Sequence, residues 1–123
     1  MLIPYYTTCM DILIVDDEKS IRLTTSMALE AEGHYVETAE DGSLAMRRIK
    51  EENFDLVFLD LRLGDEDGLE VLQRILAIKP QQLVTIFTAH ASIATADWPR
   101  VSVTPWRANS SATGVVISAS NGV

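Results

Sequence analysis

A chain of 123 residues with 47% hydrophobic and 23% charged side chains has the make-up of one globular domain with a single core. No apolar stretch approaches the roughly 20 residues that cross a bilayer, and Met1–Met10 lacks the basic start and long apolar run of a secretory signal, so the expected location is the cytoplasm, with no membrane partner. The formal net charge of −8 argues against direct nucleic-acid binding, which needs clustered Lys and Arg, and the lone Cys9 excludes an internal disulfide and a cysteine metal site.

From Asp11 to Ala96 apolar runs and amphipathic stretches alternate. Ile12-Leu13-Ile14-Val15 predicts a strand over Asp11–Val15, running into Asp16-Asp17. A helix over Lys19–Glu32 follows, with Ile21, Thr24, Thr25, Ala28 and Leu29 as its expected inner face and Gly33 as its stop. Next come a strand at Tyr35–Ala39, the turn Glu40-Asp41-Gly42, and a helix over Ser43–Glu52 packed through Leu44, Ala45 and Ile49. Leu56–Asp60 is apolar on successive residues, the pattern of a strand buried on both faces. After a loop at Leu61–Asp67, the spacing of Leu69, Leu72, Ile75 and Leu76 predicts a helix that Pro80 stops. Leu83–Thr88 reads as another buried strand, and Ser92 is the expected cap of a helix beginning at Ile93. Strands alternating with helices imply right-handed crossovers and an α/β, doubly wound parallel sheet.

Three of the strands end in oxygen-bearing side chains: Asp16-Asp17, Asp60 and Thr88. In a parallel sheet these ends share one edge, where α/β proteins place their sites. Three carboxylates and a hydroxyl in one crevice suit a hard divalent cation and a phosphoryl group. As a bland alternative, the first acids could merely favour the positive end of the helix that follows. Asp65, Glu66 and Asp67 read as a solvated loop. A calcium-loop reading fails, because its first and twelfth positions would be Leu63 and Arg74. His34 and His90 lack partners at metal-ligand spacing.

The runs Ile12–Glu18, Asp55–Leu63 with Gly68-Leu69, and Thr88-Ala89-His90 together resemble the receiver domain of bacterial two-component response regulators. The likeness is greatest to receivers of sigma-54-activating regulators. It implies a flavodoxin-like fold and a phosphoacceptor role for Asp60, with a histidine kinase as donor. By the same resemblance, Asp16 and Asp17 bind Mg²⁺ with help from Asp60 and the backbone carbonyl of Arg62. Thr88 is then the switch hydroxyl, and Ala89 the small residue beside the phosphoryl group. The protein would be an autophosphorylating signalling domain and not a turnover enzyme.

The chain departs from that family beyond Ala96. Residues 1–96 hold 17 acids and 8 bases, whereas 97–123 hold one acid and two bases. Ser110 stands at the spacing where the family has a lysine, and Arg107 where it has an aromatic residue. The division expected is an N-terminal extension over 1–10, a receiver-like domain over 11–96, and an atypical tail over 97–123. In that tail the fourth helix, fifth strand and fifth helix are altered or missing, and Gly114–Ser118 is the candidate for a substitute edge strand. The rival reading is a damaged receiver that binds Mg²⁺ at most, does not signal, and self-associates through an uncovered sheet edge. An aspartate-nucleophile phosphatase would want an acid two residues after Asp60, where Arg62 stands.

Overall fold

The computed structural model describes residues 9–88, 101–108 and 112–119. Strand β1 (Asp11–Val15) is the centre of the parallel part, because Ile12, Leu13, Ile14 and Val15 are all buried, whichever face they point to. It pairs in parallel with β2 (Tyr35–Ala39) on one side and β3 (Leu56–Asp60) on the other. Strand β6 (Leu83–Thr88) pairs in parallel with β3. A short hairpin, β4 (Arg62–Leu63) and β5 (Glu66–Asp67), stands apart from this sheet, where the sequence predicts only a loop.

Helix α1 (Lys19–Ala31) packs on the β1–β2 side of one face, while α2 (Gly42–Glu51) and α3 (Gly68–Ile78) cover the other. The main core lies under α2 and α3. There Leu13, Val15, Val57, Leu59, Val84 and Ile86 from the strands meet Ala45, Met46, Ile49, Val71, Leu72 and Ile75. Gly33, at φ +95°, ends α1: its amide donates to Glu30 O and the His34 amide to Leu29 O, the double bond of a Schellman turn. Asp41 caps α2 by accepting from the Leu44 amide, and Asp67 caps α3 by accepting from the Leu69 amide. The far ends of α2 and α3 are tied by Lys79, whose Nζ donates to Glu52 O and Asn53 Oδ1.

Two expectations from the sequence are corrected. The inner face of α1 is formed by Arg22, Thr25, Ser26 and Leu29, while Ile21, Thr24 and Ala28 are exposed. A run with two threonines and an alanine defines its buried stripe weakly, and the helix settles about a quarter-turn away. Strand β3 is also not closed on both faces: Val57 and Leu59 are fully buried, but Leu56, Phe58 and Asp60 are only half-buried. Among the described residues α1 packs mainly against β1 and β2, which leaves that face of β3 less covered.

Beyond β6 the sheet changes direction. Strand β8 (Ala112–Ala119) runs antiparallel to β6, and β7 (Val101–Ala108) runs antiparallel to β8, giving the order β2-β1-β3-β6-β8-β7. Gly114–Ser118 therefore lies in an interior strand, with β7 outside it. Among the described residues no helix follows α3, and the helix expected from Ser92 lies outside them. No helix of the described residues is long and apolar enough to cross a membrane.

Gly68 locks β3 to α3. A β-carbon there would come 2.5 Å from Leu61 Cα and 2.6 Å from Asp60 O, both of them backbone that cannot swing aside. Gly68→Ala should therefore lower stability by about 1–3 kcal/mol in urea unfolding, the usual cost of overpacking. An unchanged midpoint would contradict this packing.

Candidate functional site

The carboxyl ends of β1 and β3 bring the acids together. Asp16 and Asp17 follow β1 directly, and Asp60 is the last residue of β3. Burial of the apolar runs fixes the register Val15↔Leu59, so the acids that follow on each strand must meet at the same edge. One carboxylate oxygen from each of Asp16, Asp17 and Asp60 lies within 4.8 Å of the other two.

Backbone amides hold this cluster. Asp16 Oδ1 accepts from the Glu18 amide at 2.9 Å, and Asp60 Oδ1 accepts from the Arg62 amide at 3.0 Å. Asp17 Oδ2 accepts from the Gly64 amide at 3.1 Å, a bond spanning 47 residues of sequence. Gly64 adopts φ +61° at the first central position of the two-residue β4–β5 turn, a conformation that favours glycine in such hairpins. Arg22 stabilises the segment from behind, its Nη1 donating to the Asp16 carbonyl at 2.6 Å. Sequence reasoning misses the hairpin amides and Arg22; the one signal for them is the Gly64-Asp65 dipeptide, a two-residue hairpin turn.

The electrostatics are those of crowded anions. Burial raises the Asp16 pKa to about 6, and the neighbouring charges of Asp60, Asp17 and Glu18 push the same way against the Glu18 amide. Asp60 is raised too, mainly by burial and further by Asp17; the Arg62 amide, a hydrogen bond with Asp16 and the Arg62 charge oppose the rise.

All the side-chain donors of this cluster are carboxylate oxygens, the donor set of a hard divalent cation. An ion held at about 2.1 Å by each oxygen would need ligand oxygens at most about 4 Å apart, a spacing small side-chain rotations can reach. Such an ion would also relieve the charge that burial leaves uncompensated. Arg62 is in β4, immediately beside the cluster. Thr88 ends β6, one residue past Phe87, which pairs with Asp60, so its backbone lies at the same sheet edge. Ala89 and Ser110 lie outside the described residues. Arg107 is in β7, where it pairs with Thr113, itself the partner of Thr88.

The family model for the response regulator receiver domain matches residues 12–98. The alginate biosynthesis transcriptional regulatory protein AlgB of Pseudomonas putida is 46% identical over 85 residues, covering 69% of this chain and 19% of its own length. The chain thus spans about a fifth of that relative. A CheY-like receiver domain protein from Methanospirillum hungatei superposes with a TM-score of 0.67 at 32% identity, over 72% of this chain and 71% of that one. A response regulator from Burkholderia pseudomallei, solved with a phosphorylated aspartic acid, a calcium ion and citrate, superposes with a TM-score of 0.65 at 30% identity. It covers 70% of this chain and 51% of its own.

The raised Asp16 pKa has a signed consequence. Because the folded chain holds the Asp16 proton more tightly than the unfolded chain, stability from this group is full below about pH 4 and is lost as pH rises to about 6. Asp16→Asn, which keeps an oxygen for the Glu18 amide, should melt at a higher temperature than wild type in EDTA at pH 7. The gap should close towards pH 4. A gap that does not vary with pH would contradict the burial of Asp16 as a charged group.

Proposed function

Because the chain belongs to the response regulator receiver domain family, we propose that it accepts a phosphoryl group on Asp60 from a histidine kinase in the cytoplasm, with Mg²⁺ held by Asp16, Asp17, Asp60 and the Arg62 carbonyl. The observation that carries this reading is the meeting of three carboxylates at the carboxyl edge of the sheet, with Asp60 held through Oδ1 by the Arg62 amide. With Oδ1 anchored, Asp60 offers Oδ2 to phosphorus. The new O–P bond forms as the N–P bond of the phosphohistidine breaks, and the electron pair returns to the imidazole nitrogen. When bound, Mg²⁺ supplies the positive charge that lets a carboxylate approach an anionic phosphoryl group.

The chain's own residues do the positioning. Asp16 is the buried ligand, oriented at Oδ1 by the Glu18 amide; Asp17 is the exposed one, oriented at Oδ2 by the Gly64 amide. Thr88, at the end of β6, is the hydroxyl proposed to meet the phosphoryl oxygens, with Ala89, next in sequence, proposed as the small residue of the site. The Burkholderia relative, solved with a phosphorylated aspartic acid and a calcium ion, supports an aspartate that carries phosphate in a protein that admits a divalent cation. The relatives named as transcriptional regulators support a signalling role, and not repeated turnover of a substrate. The outer strands β2 and β7 each have one unpaired side among the described residues, and self-association through such an edge belongs to the same proposal.

Incubating the full chain with acetyl phosphate and Mg²⁺ should add a single phosphoryl group in the intact-mass spectrum, and Asp60→Asn should abolish the addition. A variant that still gains the group would move the acceptor elsewhere. A folded wild type that gains nothing would remove the phosphoacceptor reading.

A further inference from the structure

The β4–β5 hairpin touches the acidic cluster at one end and a helix at the other. Its Arg62 and Gly64 amides donate to Asp60 and Asp17, while Glu66 Oε1, two residues past Gly64, accepts from the Gly42 amide at 2.9 Å. Gly42 is the first residue of α2, where an amide has no partner within its own helix and an anion is favoured by the helix dipole. The fit is close: a β-carbon on Gly42 would lie 2.5 Å from Glu66 Oε2 and 2.8 Å from Val71 Cγ2. A side chain at Gly42, read from the sequence as a turn residue, would have to displace this carboxylate. Glu66 is half-buried and belongs to neither of the ion pairs among the described residues. The cap on Leu44 comes separately from Asp41.

We infer that Glu66 is a positioning residue that pins the hairpin to the start of α2 and so sets the backbone of Arg62 and Gly64 at the metal site. The hairpin is otherwise fixed by the buried side chain of Leu63 and by the Gly68 amide bonding Leu61 O at its base. Leu63 holds the β4 side of the tip, and the Glu66 anchor holds the facing β5 side, so both strands that flank Gly64 are fixed. Release of Glu66 frees the tip, loosens the Asp17 orientation and shifts the Arg62 carbonyl. This inference rests on the reading of the cluster as a Mg²⁺-dependent phosphoacceptor site.

The test compares the full-length wild type with E66L, E66Q and D41A, by Mg²⁺ calorimetry, amide hydrogen exchange and thermal melting. E66L should weaken Mg²⁺ binding by about tenfold, the lower end for outer-shell partners, and speed exchange at both Gly42 and Gly64. E66Q, whose side-chain oxygen can accept the same amide, should recover most of the affinity. D41A removes the other α2 cap, so it should lower the melting temperature and leave Mg²⁺ affinity unchanged. Affinity and Gly64 exchange unchanged in E66L would overturn the inference, as would a loss in D41A equal to that in E66L. If E66L does not fold, E66D, one methylene too short for the bond, takes its place with the same expectations. Should wild type fail to bind Mg²⁺, the site reading falls by itself. Gly64 exchange then decides the anchor: faster in E66L upholds it, unchanged sinks it.

Discussion

Three carboxylates repel one another, and the fold holds them together all the same. The force that does so is the burial of the strands that carry them. Ile12, Leu13, Ile14, Val15, Val57 and Leu59 are each at most 3% exposed, and at roughly 2 kcal/mol apiece their burial is worth on the order of 10 kcal/mol. A slip of β3 by one residue would relieve the crowding but turn Val57 and Leu59 from its closed face to its half-open one. The repulsion is far smaller, because Asp17 is exposed and Asp60 half-exposed, so solvent screens their charges. The acids are therefore close because the apolar residues before them leave no other choice.

What burial leaves unbalanced, the surrounding backbone partly answers. Amides of Glu18, Arg62 and Gly64 point at the three carboxylates, and the last two come from one hairpin. The carboxylates are thus pre-oriented without a cation, yet keep enough excess charge to favour one. The hairpin is itself tied to α2 through Glu66 and Gly42, so the geometry of the site and the start of that helix are mechanically joined. The parallel half of the molecule, from β1 to β6, carries all of these contacts. The antiparallel pair β8–β7 extends the sheet on the far side of β6 and continues the row from Asp60 through Phe87 to Gly114.

Much of this was legible in the sequence where the signal is local. Apolar runs ending in Asp16-Asp17, Asp60 and Thr88 give both the strands and the edge at which their acids meet, because right-handed crossovers allow few other arrangements. Gly33 and Pro80 mark helix ends by their own backbone preferences. The failures share a different cause. The buried face of α1 depends on what packs against it, and Ile21, Thr24 and Ala28 match a helical stripe without being covered. The β4–β5 hairpin has two-residue strands and a charged sequence, so no periodicity betrays it. The Glu66–Gly42 and Asp17–Gly64 bonds join residues 24 and 47 apart, beyond any local pattern. After Ala96 the sequence turns towards Ser, Ala, Val and Asn, and a run such as Gly114–Ser118 reads as a strand without revealing its direction or its neighbours.

Crowded, partly buried carboxylates that bind a hard cation must give up any proton they hold, so proton release reports the binding. With the Asp16 pKa near 6, about half of that group is protonated at pH 6 in the metal-free chain. Calorimetric titration with Mg²⁺ at pH 6, in two buffers of different ionisation enthalpy, would measure protons displaced on binding. One saturable site is expected, with an apparent enthalpy that changes between buffers to the extent of a sizeable fraction of one proton, and much less change at pH 8. Saturable binding with no buffer dependence at pH 6, or no saturable binding at all, would contradict it.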